Sequence, residues 1–225
     1  ASYLDDSEAT VFLADVNNVG IENTATGFIN PNITSIWTGS SSFWGYKYPS
    51  APNDAPDGDK VEKGGAAQKI RAAFPTSQAT RNLYTCTGSC TGGTVLGSSS
   101  DTRFSTANTA NITQALLGAS STTERDNIIN WVRGADNVDD EDGDGSATDI
   151  RPSVHGDVLH SRPAVVNYNR SGEPTDRDIY VYYGGNDGVF HAAKGGNNIA
   201  DGSEAWGFIP SEFFGQFKRL RNATA

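Results

Sequence analysis

Methionine is absent from these 225 residues. A native translation start would leave one, so the chain is expected to be a piece of a longer product, cut by maturation, an expression boundary or proteolysis. Cysteine is nearly absent: Cys86 and Cys90 stand alone. No second pair exists to complete a zinc site. The three residues between them differ from the two usual in a redox pair. The expected arrangement is a small disulfide pinning a Gly-rich turn, worth about 2 kcal/mol in the chain-entropy model. Such a bond implies an oxidising compartment, the periplasm or the cell surface. Basic residues are scarce, and the net charge of -10 argues against non-specific nucleic-acid binding. Lys218, Arg219 and Arg221 form the sole basic cluster, read as a solvated helix end. No apolar run approaches the ~20 residues of a membrane span, and no signal-peptide pattern is visible. A Gly-x-Ser-x-Gly elbow, a phosphate loop and a paired acid/base motif are all missing, so no catalytic constellation and no enzymatic role is expected.

What is present is clearest from residue 151 to 214. Pro163 to Tyr168 reads as a first strand, and Ile179 to Tyr183 as a second, apolar throughout as in a strand buried on both faces. Gly184-Gly-Asn-Asp-Gly188 accepts the positive φ of a tight hairpin. Val189 to Ala193 returns as a third strand, and Ala205 to Ile209 is a fourth, stopped by Pro210. Four short strands at this spacing fit a propeller blade or an antiparallel sandwich, and pattern alone does not choose.

Residues 1–150 read as a loop-rich lead-in, and 215–225 as a tail leading onward. Thr10 to Ala14 and Asn82 to Cys86 are strand candidates. Ala66, Ala67, Ile70 and Phe74 lie at helical spacing within 64–74. Within 112–133, Asn111 with Gln114 and Ser121 with Glu124 read as capping boxes for two helices, the second ended by Gly134. Ile36, Trp37 and the aromatics of 43–48 suit either a ligand platform or core packing, and core packing is the expectation. The sequons at Asn32, Asn111 and Asn222 are read as chance in so Ser/Thr-rich a chain.

The acidic run 136–149 has carboxylates at Asp140, Asp142 and Asp144 followed by Gly145, the opening of an EF-hand-like loop. The Ser146 carbonyl and Thr148 would follow. Arg151 stands where a bidentate Glu belongs, so Asp149 would serve as the late ligand. The expected metal is calcium; the alternative is a solvated acidic loop. A weaker second candidate comprises Asp54, Asp57, Asp59 and Glu62. His155 and His160, near Asp157 and flanking a short strand, and His191, inside a strand, are expected to be satisfied structural histidines.

Three ordered blocks carry a family resemblance: Val61-Glu-Lys-Gly-Gly-Ala-Ala-Gln-Lys-Ile-Arg71 with Asn82-Leu-Tyr-Thr85; Ile129-Asn-Trp-Val-Arg-Gly134; and the blade from Arg151-Pro-Ser-Val-His-Gly-Asp to Phe214. Together they resemble the C-terminal propeller of PilY-type proteins, the surface factors of bacterial type IV pili. The resemblance implies a mainly β fold, part of a β-propeller with helical and loop insertions, of which about one four-stranded blade is present. It implies an exported protein at the cell surface, pilus tip or outer envelope that supports pilus biogenesis, twitching and adhesion. Its partners would be the rest of the same polypeptide, minor pilins or the pilus tip, and a host or abiotic surface. The family's own calcium motif would lie beyond residue 225, so its regulatory role does not carry over to Asp140–Asp144. A second reading is a pyrroloquinoline-quinone-dependent dehydrogenase, whose blades share the strand, Gly-x-x-Asp-Gly hairpin, strand and Trp order.

Overall fold

The computed structural model describes residues 2–4, 11–13, 15, 19–27, 36–38, 65–88, 90–138, 145–172 and 178–223. Asp140, Asp142 and Asp144, the segment 49–63 and the aromatics of 43–48 lie outside the described residues.

A five-stranded mixed sheet with helices packed against it places the fold in the mainly β class. Its strands are β3 (Leu83–Cys86), β4 (Ala164–Asn167), β5 (Ile179–Gly184), β6 (Phe190–Lys194) and β7 (Glu204–Pro210), in the order β3-β7-β6-β5-β4. The sheet is open. β4 to β7 form an antiparallel meander in chain order, matching the four expected strands. β3 adds on parallel to β7. A separate two-stranded ribbon joins β1 (Ser2–Leu4) to β2 (Val11–Leu13).

One irregularity decides which residues share a face. Ala192 pairs with Trp206 but Ala193 pairs with Glu204, so Ala205 is an extra residue. This β-bulge reverses the alternation of β7. Trp206 and Phe208 therefore lie with Tyr180, Tyr182 and Phe190 on one face. Glu204 joins Tyr183, His191 and Ile209 on the other.

The second face carries the core. Leu83, Val189 and Ile209 pack with Ile112, Leu117, Ile128, Ile129 and Val132 from α2 (Gln114–Leu117), α3 (Thr122–Arg133) and the turn before them. α4 (Phe214–Ala223) closes the layer: Phe214 and Phe217 set edge-on against Phe104 at 5.5 and 5.9 Å between centroids. Residues 215–225 thus begin as a core helix, where the sequence suggested a tail. Phe214 and Phe217 sit three apart in a helix that buries only one stripe, a pattern too sparse to register by periodicity.

Helix ends follow local chemistry. Ser121 Oγ accepts the Glu124 N–H at 3.1 Å as the expected N-cap of α3, but the Glu124 carboxylate reaches back to Ser120 N at 2.6 Å, one residue further than a capping box. Gly134 ends α3 at φ 121°; a Cβ there would also meet Ile150 Cδ1 at 2.7 Å. The cap of α2 is Thr113, whose Oγ1 accepts from Leu116, and not Asn111. Asn111 is drawn off to Asn108 Oδ1 and the Asp101 carbonyl, and Gln114 bonds Thr122. Replacing Ser121 by Ala should lower stability by about 1 kcal/mol, read as a lower urea midpoint at unchanged slope; no change would mean that Ser120 and Glu124 hold the helix start alone.

A second, small cluster packs Ile70 of α1 (Gly65–Ala73) on Ile150 and Val154, with Phe74 beside it. The helix was expected over 64–74. Residues 157–159 are irregular, so His155 and His160 do not flank a strand as the sequence suggested. There the backbone is held by long-range bonds: the Asp157 carbonyl accepts from Asn186, and Ser161 Oγ from Gly184.

Candidate functional site

Six polar side chains meet on the helix-covered face of the sheet. His191 on β6 lies between two carboxylates: Nδ1 is 3.0 Å from Glu204 Oε1, and Nε2 is 3.0 Å from Asp187 Oδ2. Glu204 in turn takes a bidentate pair from Arg81, at 2.6 and 2.8 Å. Arg81 is fully buried and Glu204 nearly so. Asp187 also accepts the N–H groups of Gly156 at 3.2 Å and Val189 at 3.1 Å. His155 stacks on His191 with centroids 4.7 Å apart, and its Nε2 makes a 2.9 Å hydrogen bond with the Tyr183 hydroxyl.

Charge balance sets the protonation states. With His191 protonated, two cations (Arg81, His191) face two anions (Asp187, Glu204). Burial disfavours imidazolium, but Asp187 and then Glu204 outweigh it and raise the His191 pKa to about 9. Burial likewise opposes charge on Glu204, yet Arg81 and His191 hold its pKa at about 2; Asp187 is held well below the usual carboxylate range, chiefly by His191. For His155, burial and the neighbouring His191 charge act together and lower the pKa to about 4, so it is neutral. Burial pushes the Tyr183 hydroxyl up.

Each group is placed by a local rule. The hairpin turn presents Asp187 toward the returning strand, i,i+4 to His191. The bulge at Ala205 turns Glu204 inward. Gly156 is required because a Cβ there would meet Asp187 N at 2.3 Å. Arg81 stands just before β3 and also donates to the Arg133 carbonyl at 3.0 Å. Arg133 returns a bond to the Arg81 carbonyl at 3.0 Å and caps the Gln78, Ala79 and Phe104 carbonyls. The cluster therefore ties the lead-in to the meander.

Two cavities flank the His155–Asp157 segment. The larger, about 500 Å³, is lined by Trp37, the start of α1, His155, Pro163, Val181 and Tyr183. Trp37 donates to the Gly196 carbonyl at 3.0 Å, so it serves packing as well as lining. The smaller, about 190 Å³, lies on the side of Trp131 and Arg151.

The opposite face is an aromatic ladder. Tyr182 stacks between Tyr180 and Phe190 at 6.4 and 6.0 Å and touches Trp206 at 5.8 Å. The Tyr168 and Tyr182 hydroxyls bond at 2.7 Å, and Arg170 pairs with Asp178 beside them. Phe190 and Tyr168 are exposed. The β5 run, expected to be buried on both faces, buries only Tyr183; Ile179, Tyr180, Val181 and Tyr182 are half-buried, and no described residue covers the face of Tyr180 and Tyr182.

No protein-family model, curated protein or solved structure matches the chain.

Cys86 and Cys90 are joined, with sulfurs 2.09 Å apart and Cα atoms 6.0 Å apart. Of the expected calcium ligands, Ser146, Thr148 and Asp149 are described. Thr148 is exposed and its N–H points to Ser146 Oγ at 3.4 Å; Asp149 is buried where its carbonyl accepts from Asp136 at 3.0 Å, closing the acidic loop at its base. Among the described residues, no cluster of three or more His, Cys, Asp or Glu could hold a metal ion, and no helix is long and apolar enough to cross a membrane. His155 and His191 are held as the structural reading expected, while His160 is exposed. Sequence reasoning missed Asp187 and Glu204 as partners of His191, and Arg81 as the partner of Glu204. A histidine inside an apolar strand pattern was the available signal, since it needs a buried partner.

Proposed function

We propose that this chain is part of an exported, non-enzymatic surface protein of the PilY type, its β4–β7 meander serving as one blade of a β-propeller that supports type IV pilus biogenesis, twitching and adhesion. The observation that carries this reading is the four-strand antiparallel meander with an aromatic face that no described residue covers. Apolar faces of this extent call for a cover, and β4, exposed along its length, is an outer strand of the sheet among the described residues. In this reading the cover is the rest of the same polypeptide. The disulfide supports export, and the cluster around His191 supports a scaffold, because its ionised groups are spent on one another. Minor pilins or the pilus tip, and a host or abiotic surface, are the proposed partners. Deleting the gene in a piliated bacterium should abolish twitching zones and surface pili, with the product detected outside the cell. Normal twitching in the deletion strain would overturn the reading.

The loop at Asp140, Asp142 and Asp144, with Ser146, Thr148 and Asp149, is proposed to bind calcium. Calorimetry should show saturable heat that is lost in Asp142→Ala; a flat titration of folded protein would reduce the loop to a solvated one. The order of strand, Asn-Asp-Gly hairpin and Trp-bearing strand also supports the quinone-dehydrogenase alternative. That reading requires purified protein to gain quinone absorbance and oxidise alcohols.

A further inference from the structure

We propose that the cavity between α4 and the β5–β6 hairpin binds a neutral pyranose sugar. The cavity measures about 360 Å³, within the range of roughly 300–1,000 Å³ usual for small-molecule sites. Its lining is selective in charge. Charged residues make up 20% of the chain, yet no Asp, Glu, Lys or Arg lines this cavity. The polar side chains that do line it are an imidazole (His160), a hydroxyl (Ser161) and two primary amides (Asn186 and Gln216). Amides and hydroxyls both donate and accept hydrogen bonds. Each sugar hydroxyl does the same, so such a lining satisfies it with no charge to neutralise.

These groups are not spent on the fold. His160, Asn186 and Gln216 are exposed, and their side chains make no hydrogen bond or ion pair among the described residues. Ser161 Oγ accepts the Gly184 N–H at 2.8 Å, which leaves its hydroxyl hydrogen to donate. Phe213, 41% exposed, lines the same cavity and offers an aromatic ring to the C–H face of a pyranose. Both walls are fixed before a ligand arrives. The hairpin backbone packs directly on α4: a Cβ at Gly188 would lie 2.9 Å from the Phe217 ring. The Asn186 N–H is held by the Asp157 carbonyl at 2.9 Å, and Phe214 and Phe217 anchor α4 in the core. A preorganised site loses less freedom on binding, which favours even a weakly held ligand.

The test follows the side-chain amide peaks of Asn186 and Gln216 in nitrogen-15-labelled protein, assigned with Asn186→Ala and Gln216→Ala. Glucose, galactose, mannose, N-acetylglucosamine and sodium glucuronate are titrated at constant ionic strength. At least one neutral sugar should move both peaks saturably, with glucuronate weaker because no cation in the lining meets its carboxylate. Each alanine variant should weaken that sugar about fivefold, one neutral hydrogen bond apiece. The urea midpoint should stay unchanged in both, since neither side chain bonds elsewhere in the described structure; should one variant fold poorly, the other carries the comparison. Peaks that do not saturate with any neutral sugar, glucuronate binding as tightly as the best of them, or wild-type affinity in both variants overturns the proposal. Sugar binding is independent of the pilus reading, which the deletion strain tests separately.

Discussion

Replacing Arg81 by Met is expected to destabilise the fold by about 3–5 kcal/mol, among the largest losses any single side chain here should give. The substitution keeps the volume of the stem but strands Glu204, whose side chain is 4% exposed, with no guanidinium. Removing one partner of a buried pair is costly because the survivor stays desolvated. It also removes the donor to the Arg133 carbonyl, at the point where α3 ends. For a chain of this size the melting temperature should fall by about 10 °C. Urea unfolding with the mutant and wild type at pH 6.5 is the measurement. A loss below about 1 kcal/mol would show that Glu204 reaches water and that the cluster does not anchor the lead-in to the sheet.

The second large effect is a stability optimum near pH 6.5 with a fall on both sides. His191 has a folded pKa of about 9 against 6.5 for the free side chain, so its contribution is complete below 6.5 and is lost as pH rises through 9. The span corresponds to about 3 kcal/mol. On the acid side, His155 has a folded pKa of about 4, below its unfolded value. The native state therefore excludes that proton, and acidification from 6.5 to 4 destabilises. Further down, Glu204, at about 2, and Asp187 contribute stability present above the ordinary carboxylate range and lost as pH falls through their folded values. The alkaline limb is the distinctive one, since it requires a histidine held charged by two carboxylates. His191→Gln should flatten it whatever its effect on total stability. Denaturant midpoints from pH 4 to 10 read both limbs, and an alkaline limb that persists in His191→Gln would assign it to another group.

The meander was legible in the sequence because each signal lay within a few residues of what it controls. Gly184-Gly-Asn-Asp-Gly188 dictates a turn by backbone conformation, Ser121 and Gly134 bound α3 by hydrogen bonding to the nearest turn, and Cys86 and Cys90 are close enough to meet in any fold of their loop. What tertiary structure alone decided depends on distance. Arg81 and Glu204 are 123 residues apart, and no local pattern pairs them. The parallel addition of β3 to β7 and the docking of α4 on Phe104 bring segments together that share no periodicity. The bulge at Ala205 was hidden for a different reason. Strict alternation would put Glu204 and Trp206 on one face, and only the pairing with Ala192 and Ala193 shows that they part. That one extra residue sends the acid to His191 and the tryptophan to the open aromatic face, because a sheet reads its side chains two by two and any insertion reverses every choice beyond it.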